Sequence, residues 1–208
     1  MKTQKNESQK NSWDGEMKEL FQKLRLRQDL KMSPLKHPYR RHELLRLPQP
    51  RLFRIWDISQ KFLFIVNSML IASPLDFNSA VWMAVLPNNA LDPRHQPIFI
   101  GLRDGSRTLS CTLSNEGQPQ LHLVERSIME LYNQNQKFLD FSFYSKTDGS
   151  LETCSFESAQ FPGWFISTSF EPNKPISLGQ KGGPGITLFY FETNKRKEKA
   201  ELVITRIV

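Results

Sequence analysis

The sequence predicts an all-β domain over residues 51–192, set between two basic extensions. Three observations carry that prediction. About a dozen short apolar stretches recur at close spacing with almost no helical periodicity, a rhythm that means a sandwich or a closed barrel. The turn signals Asp104-Gly105, Asn115-Glu116-Gly117, Asp148-Gly149 and Gly182-Gly183 separate them, because Gly and Asn accept the backbone reversals that tight turns need. Fifteen Phe and four Trp supply the large buried area of a core.

Residues 1–50 read as a leader. Met1 to Asn11 is polar and is expected to be disordered. Met17, Leu20, Phe21 and Leu24 follow the spacing of an amphipathic helix. Lys18, Lys23, Arg25 and Arg27 surround that stripe. A short isolated helix is marginal in water, so the expectation is a Pro-rich, disordered leader with one marginal helix. Pro34, Pro38, Pro48 and Pro50 interrupt regular structure after it. Arg40-Arg41 and Arg46 make the stretch a protease target, since unpacked backbone is cut most readily.

Strands are expected near Phe53–Asp57, Lys61–Val66, Leu70–Ser73, Val81–Leu86, Ile98–Leu102 and Arg107–Leu113. Further strands follow near Gln120–Val124, Phe138–Ser145, Leu151–Phe156, Trp164–Thr168, Pro175–Leu178 and Ile186–Phe191. Alternation is cleanest in Leu121-His122-Leu123 and Phe141-Ser142-Phe143, which turn one face inward. One helical insertion interrupts them: Ser127 caps, Glu130 stands three residues on, and Ile128, Met129, Leu131 and Tyr132 follow. Residues 193–208 carry the basic run Lys195-Arg196-Lys197-Glu198-Lys199 and read as a solvated tail.

The net charge of +7 lies in the ends: residues 1–50 hold 12 Lys+Arg against 6 Asp+Glu, whereas residues 51–192 hold 11 against 13. A core binding nucleic acid or heparin concentrates basic residues on one face, and this one has few to concentrate. Cys111 and Cys154 are too few for a disulfide scaffold. They are expected to be buried thiols, although a single bridge between them is open. The N-terminus has no apolar signal run, and Phe62 to Val66 is far too short to span a bilayer. The expectation is a chain made in the cytosol, without membrane insertion.

No catalytic set is assembled. His37 and His42 lie in the leader, His95 in a loop, and His122 on an outer strand face. None has metal-ligand spacing, and there is no nucleophile elbow or phosphate-binding loop. Gly182-Gly183-Pro184-Gly185 lacks the Lys and helix that phosphate binding needs. No enzyme activity, metal or cofactor is expected.

The segment Phe156-Glu157-Ser158-Ala159-Gln160-Phe161-Pro162-Gly163-Trp164-Phe165-Ile166-Ser167-Thr168 resembles the signature of the interleukin-1 family. Phe53-Arg54-Ile55-Trp56-Asp57, Pro97 to Leu102, Gly105 to Cys111, Gln118 to Leu123, Ile128 to Tyr132 and Phe189-Tyr190-Phe191 continue the likeness in order. The resemblance covers about residues 52–192 and implies a β-trefoil of about twelve strands with a short helical insertion. Within the signature, Phe156, Glu157, Ser158, Pro162, Gly163, Trp164, Phe165 and Thr168 are expected to specify the fold. The stretch from Leu86 to Asp92 is most similar to the branch of interleukin-36, interleukin-38 and the receptor antagonists.

The resemblance further implies an extracellular cytokine, released without a signal peptide, that acts as a monomer on the ectodomain of an interleukin-1-receptor-family receptor. The branch leans toward an antagonist, with an agonist activated by N-terminal cleavage as the alternative. The apolar-x-Asp pattern of Ile55-Trp56-Asp57 places the processed N-terminus near Arg46 or Leu47. Candidate receptor contacts are Arg54, Asn88, Asn89, Arg94, His95 and Lys181, taken as exposed loop and early-strand residues. An intracellular or nuclear regulator using Lys195-Arg196-Lys197 is a further reading.

Overall fold

The computed structural model describes residues 12–32 and 48–194. The described strands are β1 (Arg51–Asp57), β2 (Phe62–Val66), β3 (Met69–Ser73), β4 (Met83–Pro87), β5 (Pro97–Leu102), β6 (Thr108–Leu113) and β7 (Pro119–Val124). They continue as β8 (Phe143–Thr147), β9 (Thr153–Ser158), β10 (Trp164–Ser169), β11 (Lys174–Pro175), β12 (Ser177–Gln180), β13 (Gly185–Ile186) and β14 (Phe189–Thr193). Helix α1 spans Trp13–Met32, and α2 spans Ile128–Gln134.

Pairing closes six of these strands into a barrel. β1 pairs with β4, β4 with β5, β5 with β8, β8 with β9, β9 with β14, and β14 returns to β1. Closure removes the exposed edges that an open sheet would present. The hairpins β2–β3, β6–β7 and β10–β12 follow β1, β5 and β9 respectively, and together they cap one end. The order barrel strand, hairpin, barrel strand occurs three times, which is the β-trefoil. The letters show no matching repeat because a core constrains volume and alternation more tightly than residue identity.

The barrel is filled by large apolar side chains, among them Phe53, Met83, Leu86, Ile98, Phe99, Ile100, Phe143, Phe156 and Phe189, each at most 1% exposed. Cys111 and Cys154 are both free and buried. Burial raises the Cys111 thiol to about 11, despite a hydrogen bond from Ser158 that works the other way. Burial pushes Cys154 up still more strongly.

Several expected elements are redrawn. The strand expected over Phe138–Ser145 starts only at Phe143, because Leu139–Phe141 forms a 3-10 turn entered through Phe138 at φ 35°. Ser142 Oγ donates to the Phe138 carbonyl at 2.7 Å and holds that turn. Pro175–Leu178 divides into β11, which joins β3, and β12, which joins β10. Ile186–Phe191 divides into β13 and β14, so fourteen described strands stand where twelve were expected. The strand near Leu151 begins instead at Thr153, after a turn that places Gly149 at φ 76°. Helix α2 forms as expected, with Ser127 Oγ accepting the N–H groups of Met129 and Glu130.

The largest correction concerns the leader. Its helix is not marginal: Trp13, Met17, Leu20 and Leu24 are each at most 2% exposed. Burial contributes about 1.5–3 kcal/mol for each large apolar side chain, and that docking supplies what an isolated helix lacks. The anchor, Trp13, lies one turn before the stripe read from the sequence. Its ring stands 4.7 Å from Phe53, 5.1 Å from Phe156 and 5.1 Å from Phe191. Met1 to Asn11, residues 33–47 and the basic run after Asn194 lie outside the described residues, as do the processing positions Arg46 and Leu47.

Candidate functional site

Of the six candidate contacts, Asn89, Arg94 and His95 share the loop joining β4 to β5, and all three are exposed. Asp92 organises this loop, accepting from the Arg94 N–H at 3.0 Å. The Arg94 guanidinium turns back onto the same carboxylate at 2.6 Å. That hydrogen bond holds the Asp92 carboxyl down at about 2. His95 lies against Tyr144, ring centres 5.5 Å apart. An exposed ion pair of this kind adds little to stability, so its effect is to set the loop's shape.

Asn88 is not exposed as expected; it is 1% exposed. Its Nδ2 donates to the Lys137 carbonyl at 2.6 Å and to Ser142 Oγ at 2.8 Å, while its Oδ1 accepts from the Ala90 N–H at 3.0 Å. A buried amide needs this complete satisfaction. Asn88 therefore ties the β4–β5 loop to the 3-10 turn before β8, and no face of it is left for a partner.

Lys181 stands apart, following β12. Its ammonium pairs with Asp148 and lies 4.9 Å from the centre of the Phe165 ring. Burial alone would raise the Asp148 carboxyl, but hydrogen bonds from Lys181 and Ser155 outweigh it and bring the group below its ordinary value. This pair fastens the β12–β13 turn to the β8–β9 turn.

Arg54 is also buried, at 7% exposure, and it organises a surface that the sequence did not reveal. Its guanidinium lies 4.1 Å from the centre of the Phe77 ring and 4.4 Å from that of Trp82. Nη1 donates to Glu192 Oε1 at 3.0 Å. Phe77 meets Phe62 at 5.2 Å and Trp56 at 6.1 Å, and Trp56 stacks on Tyr190 at 6.0 Å. All five aromatic residues are half-buried. They come from β1, β2, the 3-10 turn Phe77–Ser79, the residue before β4, and β14. Alternation along β1 explains the placement: Phe53 and Ile55 point into the barrel while Arg54 and Trp56 point outward. Nothing local in the sequence brings residues 54, 77, 82 and 190 together.

The candidate contacts therefore form three places rather than one. Arg54 sits by Trp82 at the start of β4, and the Asn89–His95 loop lies beyond the end of that strand. A five-residue strand separates them by roughly 17 Å at about 3.3 Å per residue. Lys181 belongs to a third group.

The signature residues make contacts within the domain. Gly163 takes φ 83° in the turn, and its N–H donates to Glu157 Oε1 at 2.7 Å. The Phe161 N–H donates to Ser158 Oγ at 3.1 Å. Pro162 is exposed at that turn and Trp164 is half-buried beyond it, while Phe156 and Phe165 are buried. Thr168 Oγ1 donates to Asp57 Oδ2 at 2.5 Å. Asp57, 0% exposed, also accepts the N–H groups of Ser59 and Lys61 on Oδ1. The Lys61 ammonium stands 2.8 Å from Oδ2 and is itself buried. The Asp of the Ile55-Trp56-Asp57 pattern is thus a structural centre.

Among the described residues no group of three His, Cys, Asp or Glu side chains converges as a metal site. No described helix is long and apolar enough to cross a membrane.

Residues 74–191 match the family model for interleukin-1 and interleukin-18. The chain is 35% identical over 152 residues to mouse interleukin-1 family member 10, covering 72% of this chain and 98% of that one. It is 38% identical over 148 residues to the mouse interleukin-36 receptor antagonist protein, covering 67% of this chain and 92% of the relative. The solved structure of the pro-inflammatory cytokine interleukin-36 alpha superposes with a TM-score of 0.58 at 33% identity, over 72% of this chain and 96% of that one. With the closed six-stranded barrel, its three capping hairpins and the folded signature, these likenesses lead to one conclusion: the chain belongs to the interleukin-1 family of cytokines.

Proposed function

We propose that this protein is an extracellular cytokine that binds the ectodomain of an interleukin-1-receptor-family receptor, and that it restrains signalling by occupying the primary receptor without recruiting the accessory chain. The likeness to the interleukin-36 receptor antagonist protein carries this reading. The half-buried aromatic surface around Arg54 supports it, because Trp, Tyr and Arg are the residue types that dominate binding energy at protein interfaces. Asn89, Arg94 and His95 supply a polar loop whose contacts set fit more than affinity. A monomer suffices for this reading.

A cell reporter assay tests the reading. The 208-residue chain and a form starting at Leu47 are each applied alone and in competition with an interleukin-36 agonist. Silence alone with suppression of the agonist is the expected result. Signal from the trimmed form alone establishes an agonist instead, a reading favoured by the likeness to mouse interleukin-36 alpha at 35% identity. No effect on agonist signalling removes this receptor.

A further inference from the structure

Helix α1 plays no part in the receptor reading, yet it is joined to the barrel as an interface is. β1 and β9 run toward the capping hairpins, and β4, β8 and β14 run away from them. The end of β8 at Thr147 and the start of β1 at Arg51 therefore lie at the uncapped end. Helix α1 meets both. Asp14 and Thr147 exchange two hydrogen bonds, Asp14 N–H to Thr147 Oγ1 at 3.0 Å and Thr147 N–H to Asp14 Oδ1 at 2.8 Å. Arg51 Nη1 donates to the Glu16 carbonyl at 3.0 Å and to Glu16 Oε2 at 3.0 Å. Between these polar clamps the Trp13 ring sits in an aromatic socket of Phe53, Phe156 and Phe191, contributed by β1, β9 and β14.

The arrangement has the anatomy of a binding site: one large aromatic anchor, an aliphatic row behind it, and charge-paired edges. Every contact named lies between residues 13–24 and the barrel, so none depends on the peptide link that joins them. We propose that the uncapped barrel end is a helix-binding site, with α1 as its occupant. Cutting the chain between α1 and β1 then leaves the helix bound as a separate peptide. Processing near Leu47 yields a two-chain complex with the socket filled, and departure of the helix is a distinct second step. This holds whether the protein proves to be an antagonist, an agonist or neither, because its test reads association and not signalling.

The test uses the full chain with a site-specific protease sequence inserted between Lys36 and His37. After cutting, the mixture is run on a sizing column at micromolar concentration and the fractions are weighed by mass spectrometry. The N-terminal fragment is expected to co-elute with the barrel. Labelled synthetic peptide 12–32 is then added in excess to the cut wild-type complex and is expected to exchange in. The same peptide with Trp13→Ala should bind roughly tenfold more weakly or worse, as loss of a central aromatic anchor requires. Trp13→Phe should retain most of the binding, because Trp13 Nε1 has no hydrogen-bond partner among the described residues. Keeping the substitutions on the peptide leaves the barrel itself unaltered. A wild-type fragment that elutes free of the barrel overturns the proposal, as does a Trp13→Ala peptide that exchanges as well as the wild type.

Discussion

Thr168, in the last third of the chain, donates a 2.5 Å hydrogen bond to Asp57 at the end of the first barrel strand, and both side chains are buried. The bond joins a signature residue on β10 to the β1–β2 turn, across 111 residues of sequence. Asp57 also receives two backbone N–H groups and the Lys61 ammonium. A buried carboxylate is tolerated only with such a complement of partners.

Asp57→Ala should therefore destabilise the fold by about 3–5 kcal/mol, since it leaves the buried Lys61 charge unpaired. Thr168→Val should cost about 1–3 kcal/mol, the penalty for stranding one acceptor. Thr168→Ser, which keeps the hydroxyl, should lose less than Thr168→Val. Chemical denaturation of the variants measures each; a Thr168→Val protein as stable as the wild type would show that the bond is not needed.

Asn88 and Asn89 are adjacent and should behave oppositely. Asn88→Ala removes three hydrogen bonds from a buried site and should lower stability by about 1–3 kcal/mol. Asn89→Ala alters an exposed position and should stay within about 0.5 kcal/mol of the wild type. Thermal melts of the pair check this contrast.

For the aromatic surface, Trp82→Ala and Trp56→Ala should each weaken binding to the relevant receptor ectodomain by about 2 kcal/mol, the scale of a hot-spot side chain. Arg94→Ala, which opens an exposed ion pair within its own loop, should change affinity much less. Surface plasmon resonance with folded variants separates the two. Equal and negligible effects at all three positions would move the interface elsewhere on the barrel.

The cysteines should be inert in the native protein. With the Cys111 thiol raised to about 11 and Cys154 raised further by burial, little reactive thiolate is present at pH 8. Alkylation followed by mass spectrometry should give slow labelling in buffer and two fast labels in denaturant. Rapid native labelling of either thiol would contradict the burial described.

Asp148 links stability to acidity. Its carboxyl is brought below its ordinary value in the folded chain, so its contribution is present above the unfolded value and is lost as pH falls through the folded one. Melting temperature should decline below about pH 4, and Asp148→Asn should reduce that decline while lowering stability at neutral pH. An unchanged acid profile in Asp148→Asn would remove this link.

The sequence by itself determined the all-β class, most strand positions, the capped helix after Ser127 and the family signature. Those features are written locally, in alternation, turn residues and one long motif. It also announced an amphipathic stripe near residue 20, but its docking could not be read there, because the socket for Trp13 is built from Phe53, Phe156 and Phe191. Only the tertiary structure decided which outward positions matter. Asn88 and Arg54 look like surface residues in a string of letters, yet one is enclosed by the turn before β8 and the other by the Phe77 and Trp82 rings of the β3–β4 connection. Burial of a polar side chain depends on what the closed barrel brings beside it, and barrel closure is a property of pairings far apart in sequence.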